Sequence, residues 1–144
     1  MANTFKNASV SNVANGSYST LYTTPSATTT VVLGLSLANK TTNAVTVQCQ
    51  FTDSSASNAT RQLLENVSIP ANTTLEVFAG QKYILETGDI LKVKAGTGSA
   101  IDAVLGGNHY WRRGRRAVHR HGRTKRYSGD EYRSLRRDHT RPGR

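Results

Sequence analysis

The chain has 144 residues, a net charge of +10 and a single cysteine. This length accommodates one folded domain with or without an extension, and one cysteine excludes both an intramolecular disulfide and a zinc site built on several cysteines. The N-terminal segment MANTFKNASVSN has no apolar run, so we expect no secretory signal, and no stretch reaches the apolar length that a transmembrane helix needs.

Most of the chain up to Leu105 alternates apolar and polar residues with the period of a β-strand. The predicted strands are YSTLYTT (18–24), TTTVVLGLSLA (28–38), VTVQCQFT (45–52), RQLLENVSI (61–69), TLEVFAG (74–80), KYILETGD (82–89), ILKVKA (90–95) and IDAVL (101–105). Turn-forming residues separate them, and no helical period occurs before residue 106. The sequence therefore predicts an all-β fold, an antiparallel β-sandwich or jelly-roll-like domain of about eight strands.

The second and third of these strands show which side chains should face the core. The alternation places four apolar side chains of each strand on one face: Val31, Leu33, Leu35 and Leu37 in the one, Val45, Val47, Cys49 and Phe51 in the other. The intervening NKTTNA is rich in residues that favour turns. We therefore predict that the two strands form a hairpin.

Charge divides the chain at Leu105. Residues 1–105 carry six basic and six acidic side chains, whereas residues 106–144 carry thirteen Lys and Arg against three acidic residues, a net of +10. We predict a β-sandwich domain over 1–105 and a basic tail over 106–144 that stays extended or disordered unless bound. Gly106-Gly107 is expected to break the last strand, and SGDEYRSLRR (128–137) could form one short helix.

No catalytic constellation is apparent in the predicted domain. Residues 1–105 contain no histidine, so neither a Ser–His nor a Cys–His pair can form within them. We interpret Cys49 as a core residue, and Asp89 and Asp102 as solvated or turn carboxylates. The cluster of His109, His119 and His121 is flanked by arginines that oppose a metal cation. We predict no enzyme, no cofactor and no metal site.

The basic tail could bind nucleic acid. Guanidinium and ammonium groups interleaved with aromatic rings can follow a phosphate backbone while the rings stack on bases. The candidate residues are Trp111, Arg112, Arg113, Arg115, Arg116, Arg120, Arg123, Lys125, Arg126, Arg133, Arg136 and Arg137. A solvated tail, or an arm that binds an acidic protein surface, is the alternative.

Residues 18–105 resemble the small β-sandwich virion proteins of tailed bacteriophages. The resemblance rests on LYTTP (21–25), the LGL strand (33–35) followed by Asn39, the IPA corner (69–71) and the LETGD turn (85–89). It implies a non-enzymatic capsid decoration protein, or a neck, tail or fibre-attachment component, that acts as an oligomer. The partners would be other virion proteins, with packaged DNA as a further partner of the tail, and no membrane.

Two further interpretations stay open. The resemblance suggests that relatives end shortly after the last strand, so the basic segment could instead arise from a change of reading frame near Leu105. Carbohydrate binding through Tyr18, Tyr22 and Tyr83 is a second alternative for the sandwich, although packed rings would explain these residues equally well. Our principal expectation is a structural protein of the virion, synthesised in the host cytoplasm.

Overall fold

A computed structural model describes residues 3–111, which form nine β-strands. In chain order these are β1 (Asn3–Val10), β2 (Ser19–Thr23), β3 (Thr28–Asn39), β4 (Val45–Asp53), β5 (Ala59–Ile69), β6 (Thr74–Glu76), β7 (Tyr83–Leu85), β8 (Ile90–Ala95) and β9 (Ile101–Trp111). Within this part of the chain there is no helix, and thus none that could cross a lipid bilayer.

The strands form two antiparallel sheets that enclose one hydrophobic core. The first sheet has the order β1-β9-β3-β6, with β7 also paired to β3, and the second has the order β2-β8-β4-β5. Fully buried side chains come from both sheets, among them Leu35 and Leu105 of the first and Val47 and Leu91 of the second. The all-β prediction is confirmed for the described residues, and the arrangement is consistent with a β-sandwich.

The last strand is longer than the sequence predicts. Strand β9 does not end at Leu105: it pairs with β1 as far as Tyr110 and with β3 as far as Trp111, so the predicted break at Gly106-Gly107 is wrong. A strand with partners on both sides is held by backbone hydrogen bonds, which glycine makes as other residues do. The rest of the predicted tail, including the predicted helix, lies outside the described residues.

A β-bulge in β3 reverses the predicted orientation of its side chains. The register against β9 shifts between Val32 and Gly34, so Leu33 is an extra residue on β3. Val32, Leu35 and Leu37 are buried, whereas Leu33 is 45% exposed. The prediction that Val31 and Leu33 share a face with Leu35 and Leu37 is wrong, because one inserted residue changes which alternate positions face the core.

The predicted hairpin between β3 and β4 is also wrong, since the two strands lie in different sheets. The buried side chain of Asn39 stabilises the connection between them. Its Nδ2 donates to the carbonyl oxygens of Asn43, Ile69 and Pro70 at 2.8, 3.0 and 3.2 Å, and its Oδ1 accepts from the backbone N–H of Thr41 at 2.9 Å. One amide thereby joins three segments at this corner.

Strand β1 was not predicted, because NTFKNASV has no regular alternation of apolar residues. Only Ala8 and Val10 pack against the core, whereas Phe5 is 73% exposed. The strand forms because β9 offers it eight consecutive partners, from Tyr110 opposite Asn3 to Ala103 opposite Val10. Backbone pairing rather than side-chain burial therefore accounts for most of this strand.

The two adjacent glycines of β9 provide a test of its extension beyond Leu105. A Cβ on Gly107 would lie 3.0 Å from the Val31 carbonyl oxygen and 3.2 Å from Thr30 Cγ2, whereas a Cβ on Gly106 would meet nothing within 4 Å. We expect Gly107→Ala to lower the free energy of unfolding by about 1–2 kcal/mol through overpacking. The matched control Gly106→Ala should change it by less than about 0.5 kcal/mol.

Urea denaturation of the two variants measures this difference. Equal stability of both variants would contradict the paired strand, because glycines outside a sheet would both tolerate a methyl group.

Candidate functional site

The structure describes one residue of the predicted nucleic-acid site. The backbone of Trp111 is the last of β9 and pairs with Thr28. The other eleven candidates, all arginine or lysine between positions 112 and 137, lie outside the described residues. The basic site therefore stays a prediction, with the correction that its first residue belongs to the sheet.

The only cysteine of the chain is a core residue. Cys49 is fully buried between Val47 and Phe51 on β4 and forms no disulfide. Burial raises the pKa of its thiol to about 12, and a thiol needs to ionise near neutral pH to act as a nucleophile. Cys49 therefore contributes to packing, and its raised pKa disfavours the thiolate at neutral pH.

The two aspartates interpreted from the sequence as solvated or turn carboxylates both stabilise turns or loops. Asp89 is 2% exposed, so it is not a solvated carboxylate, and it accepts hydrogen bonds from the backbone N–H groups of Ser54 and Glu86 at 3.0 and 2.8 Å.

Asp102 accepts a hydrogen bond from the backbone N–H of Asn12 at 2.9 Å and pairs with the Lys40 ammonium at 3.0 Å. These two interactions lower the pKa of Asp102. Each carboxylate is committed to a structural contact.

His109 ties the extended end of β9 to the second sheet. Its Nε2 lies within hydrogen-bonding distance of the Tyr22 hydroxyl on β2, which also contacts Thr30 Oγ1 at 2.7 Å. Burial, together with the charge of Lys6, lowers the pKa of His109. Residues 3–111 hold no cluster of three or more His, Cys, Asp or Glu suited to a metal ion. His119 and His121, which the sequence analysis grouped with His109, lie outside the described residues.

The three tyrosines of the carbohydrate hypothesis are all in contact with other side chains. The Lys94 ammonium lies 5.0 Å from the centre of the Tyr18 ring, and the Tyr18 hydroxyl donates to Gln48 Oε1 at 3.0 Å. Tyr22 packs beside His109, and Tyr83 stacks on Phe78 at 5.1 Å. A sugar-binding ring needs an open face, and these contacts favour the interpretation of the rings as packed residues.

The outer side of the first sheet is an apolar surface. We call it the outer apolar face, and its exposed side chains are Phe5 (73%), Ile84 (63%), Val104 (51%), Leu33 (45%) and Tyr110 (37%). These are all the exposed large hydrophobic residues among the described ones, and every one of them lies on the first sheet. The outer side of the second sheet presents Lys92, Lys94, Gln48, Gln50 and Thr46 instead.

The sheet register arranges part of this face in one row. Phe5 is opposite Asn108, Asn108 is opposite Val31, and Val31 is opposite Ile84. Asn108 is only 8% exposed, and its Oδ1 has no hydrogen-bond partner among the described residues, although its Nδ2 donates to the Tyr110 hydroxyl at 3.3 Å. The centre of the row is therefore a buried acceptor bordered by exposed apolar side chains.

Such a face is typical of a surface that another molecule covers, because exposed apolar groups gathered on one face mark interaction sites. Sequence reasoning missed this face because Phe5 lies in the unpredicted strand β1 and Leu33 was assigned to the core. The available signal was that the β-branched Ile84 and Val104 alternate with the core residues of their own strands, which places their side chains on the outer face.

Comparisons with known proteins identify no family. No family model matches the sequence, and neither does a curated protein. Among solved structures, a chain of the T13 IBDV viral particle is similar with a TM-score of 0.45 and 11% identity, over 74% of this chain and 30% of that one. A Bacillus endospore appendage protein of a family of disulfide-linked pili has a TM-score of 0.43 and 10% identity, over 76% of this chain and 87% of that one.

Both TM-scores are below 0.5, so the function has to be inferred from the surfaces of this chain. The present chain spans about a third of the viral chain's length. The resemblance to tailed-phage virion proteins stays a prediction.

The lowered pKa of His109 predicts a pH dependence of stability. The unfolded histidine has a pKa of about 6.5, so between this value and the lower folded value the unfolded state binds more protons. The free energy of unfolding should therefore fall as the pH drops below about 6.5, level off below the folded pKa, and be independent of this group above about 6.5. His109→Gln should reduce the loss between about pH 7 and pH 5.

Urea denaturation across this pH range measures the effect. His119→Gln, which removes a histidine outside the described residues, is the comparison variant. An unchanged slope in His109→Gln would show that His109 is not the group that titrates.

Proposed function

We propose that this protein is a non-enzymatic structural subunit of a tailed-phage virion, either a capsid decoration protein or a neck or tail accessory component. The observation that carries the proposal is the outer apolar face, where Phe5, Ile84, Val104 and Leu33 are exposed on the outer side of the first sheet. A neighbouring protein that covers this face would bury apolar surface.

The strand arrangement supports the same role by analogy. The orders β1-β9-β3-β6 and β2-β8-β4-β5 fit a jelly roll, which viral capsid and lectin domains both use. A fold is compatible with many functions, so the analogy is weaker support than the exposed face. On this proposal the chain is made in the host cytoplasm and becomes part of the particle as one of many symmetric copies.

Charge placed on the outer apolar face should prevent attachment. We expect the double variant Leu33→Lys with Ile84→Lys to reduce incorporation into particles by about tenfold or more, because two ammonium groups would have to be desolvated in the contact. The control Gln50→Lys adds a charge to the outer side of the second sheet, and incorporation should stay at the parent's level.

The measurement is the fraction of protein that co-sediments with particles, with circular dichroism to establish that each variant is folded. Normal incorporation of the folded double variant would mean that the chain attaches through another surface.

A second candidate function is sequence-independent binding of nucleic acid by the basic segment. The supporting observation is that all thirteen Lys and Arg beyond Leu105 lie between positions 112 and 144, so none is needed for the described sheets. Each phosphate contact contributes to the salt dependence of binding. This function and the structural role are compatible within one particle.

Neutralising four arginines tests the second function. Substituting Arg112, Arg113, Arg115 and Arg116 by Gln should make the slope of log K against log salt shallower by about 3 to 4 for duplex DNA. Lys92→Gln with Lys94→Gln, on the second sheet, should leave the slope unchanged. Fluorescence anisotropy on a random-sequence duplex measures both slopes, and an unchanged slope in the arginine variant would exclude these residues as the DNA contact.

A further inference from the structure

Three of the four sheet edges have features that discourage pairing with another strand. Strands β6 and β7 have three residues each, and β2 has five with a register shift between Thr20 and Tyr22. Strand β5 has eleven residues, but its register against β4 shifts twice, Asn66 has a φ of 47°, and Arg61 and Glu65 are charged. Short, bulged and charged edges are the usual protection against edge-to-edge association.

Strand β1 has none of these protections apart from one charge. Its eight residues pair with β9 without a register shift, no residue is proline or has a positive φ, and Lys6 is the only charged side chain. The backbone groups on its other edge have no strand partner among the described residues. Phe5 is 73% exposed beside this edge. A long, regular and largely neutral edge is a template for another extended strand.

We propose that the strand which pairs with β1 is β1 of a second copy, in antiparallel orientation with Asn7 on the two-fold axis. This inference deepens the proposed assembly function by naming one partner, and it rests on the oligomeric role assumed there. The first sheets of the two copies would join into one continuous sheet across the axis.

The composition of β1 favours this register. A two-fold axis perpendicular to an antiparallel pair places one residue opposite its own copy. With Asn7 on the axis, residues 4–10 of one copy pair with residues 10–4 of the other, so that Lys6 is opposite Ala8 and Phe5 is opposite Ser9. Shifting the axis to Lys6 would oppose two ammonium groups. Asn7 therefore gives a long overlap without like charges in direct opposition.

The same register covers exposed apolar side chains. Phe5, Ser9 and Val104 all point to the outer apolar face, and Ser9 is opposite Val104 within each copy. The Phe5 ring can therefore lie over the small Ser9 side chain of the second copy, towards its Val104, which is 51% exposed in a single chain. The contact occurs twice because of the symmetry. It leaves Leu33 on β3 and Ile84 on β7, which lie on the same face but away from the β1 edge, open to another protein.

Opposite charges at position 7 test the axis directly. In the full-length chain we expect a dimer that dissociates on dilution, and we expect Asn7→Lys and Asn7→Asp each to raise the dimer dissociation constant by about tenfold or more, because like charges meet on the axis. An equimolar mixture of the two variants should recover the dimer as a heterodimer. Ser68→Lys, a charge on the exposed side of β5, is the control that should dimerise normally.

Light scattering coupled to gel filtration measures the masses, and native mass spectrometry distinguishes the heterodimer from the homodimers. Hydrogen exchange provides an independent measurement on the parent chain: protection of the amides of residues 3–10 should increase with protein concentration. Protection that is independent of concentration would mean that the basic segment of the same chain covers β1, and would overturn the proposal. A monomeric parent, a dimeric Asn7→Lys or a mixture that fails to form the heterodimer would also overturn it.

These outcomes are separable from those of the proposed function. A monomer that still enters particles through Leu33 and Ile84 would contradict the β1 dimer alone. A β1 dimer whose Leu33→Lys, Ile84→Lys variant enters particles normally would contradict the attachment face alone.

Discussion

The position of β9 between β1 and β3 is the constraint on which the first sheet depends. Strands β1 and β3 have no hydrogen bonds to each other, and each pairs with β9 over most of its length. The same strand contributes Ile101, Ala103 and Leu105 to the core and connects His109 to Tyr22 of the second sheet. Because β9 is the last described strand and β1 the first, this sheet forms only through contacts that are distant in sequence.

The β-bulge at Leu33 adds to the apolar character of the outer side of the first sheet. It allows Val32 and Leu35 both to face the core while Leu33 and Val31 turn outward. Together with the exposed Phe5, Ile84 and Val104 of the other strands, this gives the first sheet apolar side chains on both sides, whereas the second has a core side and a polar side. An apolar outer face of a sheet is a common site of contact with another molecule. This property connects the local geometry of one strand with the proposed assembly role.

Several polar groups that are buried within residues 3–111 have a structural role. Asn39 and Asp89 satisfy backbone groups at two connections, and Cys49 is held neutral by its surroundings. Among the described residues, Thr24 Oγ1, Thr52 Oγ1 and Asn108 Oδ1 are buried without a hydrogen-bond partner. The unprotected edge of β1 lies on the first sheet. A strand partner for β1 is a requirement that another protein chain can meet.

The sequence by itself determined the all-β class and the core faces of regular strands. The buried positions Val45, Val47 and Cys49 of β4, and Leu91 and Val93 of β8, follow from alternation, which is a local property of a pleated backbone. The orientation of Leu33, the strand β1, the continuation of β9 through Gly107 and the outer apolar face were decided only by the tertiary structure. Each depends on which strand lies alongside, and hydrogen bonds between backbone groups far apart in sequence leave no periodic trace in the side chains.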